Sequence, residues 1–240
     1  MHFHDLALFV IAFASEILGT LSGFGSSTFF VPIALLVESF KFVLALTAIL
    51  HIFGNLFKIV LFRGDFQRAA FIQLVVPSAI FAAIGALLTA QFPVEFMLRS
   101  LGVVLMFFSV LSLFAKSRIQ FLPKWVATIL AAISGFSTGF VGTGGAIRGL
   151  ALAALQLPKN SFVVISSAID IGGDLIRTII YLRNGFMDWG QWFYLPLLAV
   201  AAFAGANIGK LILNRINQVQ FEKIVAVFIF LSGLMMLIEK

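Results

Sequence analysis

The chain has 240 residues, 61% of them hydrophobic and 11% charged, with a mean hydropathy of +1.11. A soluble domain carries roughly 25% charged residues, so the composition excludes an ordinary globular domain and points to a polytopic membrane protein. The net charge of +6 sits on Lys and Arg that lie mostly in short gaps between apolar runs, which fits cytoplasmic loops rather than a nucleic-acid surface, and the absence of cysteine excludes disulfides, a thiol nucleophile and cysteine-ligated clusters.

The first apolar run, 6–21, is preceded by His2, His4 and Asp5 where a signal peptide would carry Lys or Arg, so it is expected to stay in the mature protein. His2 and His4 flank Phe3 at what reads as a solvated end, and no other His or Cys spacing suggests a metal site. After GFG at 23–25 comes a second short run, 26–37, followed by three runs of spanning length at 42–62, 69–90 and 96–114. The pattern then starts again: short runs at 125–140 and 146–157 around GTGG, followed by long runs at 162–182, 192–213 and 221–238. A helix of about 20 residues crosses a bilayer core roughly 30 Å thick, whereas about 12 residues reach only about 18 Å. Each half is therefore expected to open with a re-entrant hairpin of two short helices that has a Gly-rich tip inside the membrane, followed by three conventional spans.

The halves, 1–118 and 119–240, match at a constant offset of 119: Gly23 with Gly142, Gly25 with Gly144, Ile52 with Ile171, Gly54 with Gly173, Leu56 with Leu175, Lys58 with Arg177, Pro77 with Pro196, and Ala82 and Ala83 with Ala201 and Ala202. A duplicated unit of five segments accounts for glycines, prolines and an intramembrane cation in one register. An odd number of segments inserts the second copy upside down. With the amino terminus outside, the cytoplasmic gaps hold Arg63, Arg68, Lys116, Arg118, Lys124, Lys159, Lys210, Arg215 and Lys223 against Lys41, Arg99, Arg183 and Lys240 opposite, which favours an inverted repeat under the positive-inside rule. If each hairpin instead crossed as one broken helix, the repeats would be parallel. The fold class expected is an all-α polytopic membrane protein forming one integral membrane domain of two inverted repeats.

Ionisable residues within spans are the strongest functional signals, because each costs at least about 2.5–3.5 kcal/mol near the bilayer centre. His51, Asn55 and Lys58 fall on one face of the third segment, and Asp170, Asp174 and Arg177 hold the corresponding face of the eighth. One reading is a two-sided polar site in which Lys58 or Arg177 attracts an anion while His51, Asp170 or Asp174 takes a proton. The other is a packing network in which Asp174 neutralises Arg177, with Lys58 and Arg177 snorkelling to the span ends. Glu16 and Arg148 have no charged counterpart in the other repeat; they belong either to the pathway or to a water-filled vestibule, and Glu16 joins the proton-coupling candidates.

At the tips, Gly23, Phe24, Gly25, Ser26, Ser27 and Thr28 on one side and Gly142, Thr143, Gly144 and Gly145 on the other offer backbone amides at helix starts, with hydroxyl donors beside them. That is a favourable setting for an anion. Close packing through small residues is the alternative. A Walker phosphate loop is excluded because Gly-Lys-Ser/Thr is missing, and no strand precedes GTGGAIRG as a dinucleotide fingerprint would need.

SGFGSSTFFVP and GNLFKIVLFRGDF in the first half, with GFVGTGGAIRGL and IDIGGDLIRTIIYLRNG in the second, resemble the sulfite exporter TauE/SafE family, also described as toluene sulfonate uptake permeases. The resemblance covers essentially the whole chain. It implies a secondary transporter without cofactor in a prokaryotic cytoplasmic membrane, moving sulfite, organosulfonates or related small oxyanions, with the family's glycine-rich hairpins at 23–32 and 142–151. The second motif departs from the first by carrying Ala151 where Pro32 stands and by adding Arg148, a cation that bears on which anion is selected. Expected partners are the oxyanion and the lipid bilayer, with no nucleic acid. An intramembrane enzyme using Asp170 and Asp174 as paired carboxylates, and a non-transporting structural subunit, are the competing classes.

Overall fold

The computed structural model describes residues 3–22, 25–62, 66–114, 123–155, 157, 159–213, 215 and 218–238. Within these the chain is all helical: α1 Phe3–Ser22, α2 Ser27–Ala34, α3 Phe40–Phe62, α4 Arg68–Thr89, α5 Val94–Phe114, α6 Lys124–Val141, α7 Gly145–Ala153, α8 Lys159–Arg183, α9 Tyr194–Leu213 and α10 Gln218–Ile238, with a 3₁₀ turn at Trp189–Gln191. The expectations on His2, Gly23, Phe24, Arg63, Lys116, Arg118 and Lys240 lie outside the described residues.

Among the described residues, six helices are long and apolar enough to cross a membrane: α1, α3, α4, α5, α6 and α9. α3, α4, α5 and α9 coincide with predicted spans. α1 and α6, expected as short hairpin members, have 20 and 18 residues, or about 30 and 27 Å at 1.5 Å per residue. The apolar runs understated their length because polar residues extend both helices. Asp5 in the first turn of α1 is buried, accepting a 2.6 Å hydrogen bond from the Tyr194 hydroxyl, and α6 begins one residue earlier, at Lys124. Only the second member of each pair is short: α2 has 8 residues and α7 has 9, or about 12 and 14 Å. Conversely, α8 has 25 residues, long enough to cross, but carries Asp170, Asp174 and Arg177 within them.

The packing follows from where the small residues lie. Among the glycines of α4 and α6, a Cβ on Gly139 would sit 2.0 Å from the Ala82 carbonyl oxygen, one on Gly135 2.1 Å from that of Ser78, and one on Gly85 2.4 Å from that of Phe136. The two backbones are in contact, which only glycine permits. α1 meets α9 in the same manner, Gly205 against Glu16 and Gly209 against Thr20. Gly102 of α5 and Gly233 of α10 back onto each other's carbonyls, a Cβ on either lying 2.7 Å from the other's oxygen, and the Ser109 hydroxyl donates to the Ala226 carbonyl along the same contact at 2.6 Å.

These contacts also set helix directions. On α3 and α8 the numbers run oppositely, His51 facing Asp174 and Asn55 facing Asp170, so the pair is antiparallel. α5 and α10 are antiparallel too, Gly102 meeting Gly233 and Ser109 meeting Ala226. By contrast α1 runs parallel to α9 and α4 runs parallel to α6. α3 and α8 lie at the centre, α9 covering α3 and α4 covering α8. The outer helices turn apolar stripes outward: Ile72, Val76, Ile80, Ile84 and Leu87 of α4, and Val227, Leu231, Leu234 and Ile238 of α10, are exposed at helical spacing, the pattern of a lipid-facing surface.

Because the α4–α6 contact has no room for a side chain, Gly139→Leu is expected to cost at least the roughly 1–3 kcal/mol of core overpacking. It should lower the thermal unfolding temperature of the detergent-solubilised protein, whereas Leu87→Ile on the outward face should leave it unchanged.

Candidate functional site

The antiparallel crossing of α3 and α8 gathers the charges that the sequence placed on each helix. Asp170 receives hydrogen bonds from the Arg148 guanidinium of α7 and, at 3.3 Å, from the Asn55 amide of α3. The Arg148 Nε–H donates to Ser166 Oγ at 2.8 Å. Asp174 takes a 2.8 Å hydrogen bond from Arg177 Nε one turn away on α8, and Arg177 Nη1 donates to the Thr138 carbonyl at 3.3 Å. Lys58 Nζ lies 2.5 Å from Glu16 Oε1, joining α3 to α1. All six side chains are buried, with Glu16, Asp174 and Arg177 at 0% exposure. Lys58 and Arg177 do not snorkel to the span ends. Glu16 and Arg148, without charged counterparts across the repeat, are each neutralised by a partner on another helix.

His51 links this network to the first tip. Its Nε2 accepts the Ser27 backbone N–H at 2.8 Å, so the imidazole is the neutral tautomer with its proton on Nδ1, which faces Asp174 Oδ2 at 3.5 Å. Ser27 is the first residue of α2, where an unpaired amide and the positive dipole end would otherwise receive an anion. The side chain of His51 takes one of those amides.

The two tips meet, Thr28 Oγ1 lying 3.3 Å from Thr143 Oγ1. The second tip is held by α6: Ser134 Oγ donates to the Gly144 carbonyl at 2.7 Å and Ser137 Oγ to that of Thr143 at 2.5 Å. Gly142 closes α6 with φ +82°, and Gly25 has φ +84°, a backbone region open to glycine at little cost. A Cβ on Gly144 would lie 2.2 Å from the Ser134 carbonyl. The hydroxyl oxygens of Ser26 and Ser27 are buried and have no hydrogen-bond partner among the described residues.

Beside the tips, where the end of α3 approaches the start of α8, lies a cavity of about 40 Å³, room for a few waters or one small oxyanion. Lys58 and Arg148 supply its positive charge, and Asn55, Ser166, Ser167 and Thr20 its neutral polar groups; Gly25 also lines it, with Phe62, Phe162 and Val163 as apolar wall. Of the residues proposed from sequence, Gly25, Lys58 and Arg148 line this space. Ser26, Ser27, Thr28, Thr143, Gly144 and Gly145 form the buried junction of the tips. Arg177 lies on the other side of the α3–α8 crossing, where Tyr181 is fully buried and donates to the Gly139 carbonyl at 2.5 Å. Ser166 and Ser167 escaped the sequence reading, although they stand one turn before Asp170 on the same face of α8 and signal a polar wall.

His51, Asp170 and Asp174 each place a potential ligand atom within 4.8 Å of the others, a grouping the sequence spacing did not reveal. Both carboxylates are bonded to guanidinium groups, and a cation there would meet Arg148 and Arg177 at close range. The donor set does not fit a metal centre.

The family model described as sulfite exporter TauE/SafE matches residues 7–236 of the chain. The chain belongs to that family of membrane transporters and is not an enzyme. No curated protein and no solved structure matches it.

Removing one partner of a buried ion pair leaves the other uncompensated, at a cost of about 3–5 kcal/mol. Asp174→Asn is therefore expected to destabilise the protein strongly by stranding Arg177, and Asp174→Leu combined with Arg177→Leu should recover much of the loss; thermal unfolding of the two variants in the same detergent measures the difference.

Proposed function

We propose that the chain is a secondary transporter that exports small sulfur-containing oxyanions such as sulfite or organosulfonates across the cytoplasmic membrane of a prokaryotic cell, and that the anion binds in the cavity between Lys58 and Arg148. Membership of the sulfite exporter family supports the transport of such anions. The observation that carries the site is the cavity's chemistry: two cations on different helices, Asn55 and two serine hydroxyls face one small volume, and no carboxylate is among the described residues that line it. Pyramidal and tetrahedral oxyanions suit several convergent donors rather than a single planar fork.

The transport cycle is alternating access between inverted repeats. The antiparallel pairing of α3 with α8 and of α5 with α10 supports inversion, because these are the third and fifth helices of each half. Nearly every packing pair also has its counterpart when the halves are exchanged: α1 on α9 with α6 on α4, α3 on α9 with α8 on α4, and α1 on α2 with α6 on α7. α2 and α7, too short to cross, are the re-entrant members, and their junction at Thr28 and Thr143 divides the path. In this state the Lys58 side holds the cavity while the equivalent Arg177 side is packed, with Leu44 against Gly142; transport exchanges the two conditions. The sequence count of loop charges, which puts Arg63, Arg68 and Lys159 among the cytoplasmic ones, supports a cytoplasmic opening for the Lys58 side.

Liposomes containing the protein and loaded with sulfite should lose it faster than empty liposomes. Lys58→Gln and Arg148→Gln, each removing one charge-assisted contact worth about 1.5–3 kcal/mol, should slow efflux by about ten- to a hundredfold. Rates equal to those of empty liposomes for sulfite, sulfate, methanesulfonate and toluenesulfonate alike would defeat the assignment.

A further inference from the structure

The ionised side chains buried at the α3–α8 crossing cancel. Lys58, Arg148 and Arg177 are balanced by Glu16, Asp170 and Asp174, and His51 is neutral because its Nε2 accepts an amide proton. Among the described residues the resting cluster has no spare positive charge. An anion entering the cavity adds a negative charge that nothing in the cluster offsets, and it enters a region where an uncompensated ion costs several kcal/mol.

We propose that the anion binds together with a proton, and that Glu16 is the group that takes it. This rests on the transport reading above. Lys58 lines the cavity and its ion-pair partner Glu16 does not, so an anion that draws Lys58 toward itself pulls it away from Glu16. The Glu16 carboxylate is fully buried, and apart from Lys58 no donor among the described residues reaches either of its oxygens; with Lys58 gone it becomes a bare buried charge unless it is protonated. Arg148 also lines the cavity, but Asp170 keeps the Asn55 amide if Arg148 turns to the anion.

No other charged group among the described side chains stands ready to replace Lys58. α2 carries none, and α9 presents Gly205 to Glu16 while its Lys210 donates to the Leu61 carbonyl at 2.8 Å. α3 offers Gly54, where a Cβ would lie 2.7 Å from Glu16 Oε1, and α10 has its charges, Glu222 and Lys223, in its first two turns. Lys58 thus exchanges one negative partner for another, and the proton cancels the one released. A monoanion taken up in this way adds no net charge to the protein, so the anion and proton gradients, rather than the membrane potential, set the direction of its transport.

The test uses the full chain in detergent and methanesulfonate, a strong-acid anion that stays ionised, so that every proton counted belongs to the protein. Calorimetric titration at one pH in two buffers of different ionisation enthalpy counts the protons. Wild type should take up about one per anion and E16Q should bind with none. Independently of whether E16Q folds, the Kd of wild type should rise by about tenfold per pH unit toward alkaline pH. Binding without proton uptake, a Kd independent of pH, or undiminished uptake by E16Q overturns the proposal. Failure of methanesulfonate, sulfite and sulfate all to bind overturns instead the transport reading on which it rests.

Discussion

The structure is organised around buried charge that must be paired. Three cations and three carboxylates are buried within the helices, and each is stable only because a counter-ion stands beside it, from another helix for Glu16, Lys58, Arg148 and Asp170 and one turn away for Asp174 and Arg177. That requirement ties α1 to α3 through Glu16 and α7 to α8 through Arg148, while His51 and Asn55 set α3 against Asp174 and Asp170 of α8. A slide of one turn along α8 would strand Asp170 and Asp174 together. The charges that make α8 too polar to span by composition are the reason it sits at the centre.

Pairing at this precision needs rigid surroundings, and the glycines provide them. Backbone contact between α4 and α6, and between α1 and α9, holds the first long helix of each half against the fourth helix of the other. Neither half buries its own polar face, so the two are interleaved. The same glycine-permitted closeness places α1 beside the first tip, where a Cβ on Gly19 would lie 2.4 Å from the Ser26 nitrogen. Tips, central helices and peripheral glycine contacts form one continuous arrangement in which His51 connects an α2 amide to Asp174.

Much of this was legible from sequence because periodicity and repetition carry it. The trio His51, Asn55 and Lys58 and its equivalent Asp170, Asp174 and Arg177 were visible at helical spacing and at a constant offset, and they do meet. The Asp174–Arg177 pair was legible too, being local. What the sequence hid was long-range pairing: Glu16 with Lys58 and Arg148 with Asp170 join different helices, and nothing in one dimension distinguishes a paired intramembrane charge from a free one. The lengths of α1 and α6 were misjudged for a related reason, since polar residues at their ends are accommodated by partners such as Tyr194. Ser166 and Ser167 were passed over because a serine pair in an apolar helix is ambiguous until a cation faces it, as Arg148 does.

The central claim is that an oxyanion occupies the space between Lys58 and Arg148. Diffraction from crystals of the protein soaked in selenate, collected at the selenium edge, tests it most directly. An anomalous peak bounded by Lys58, Arg148, Ser166 and Ser167 is expected; peaks confined to other sites, with this cavity holding only water, would rule the site out.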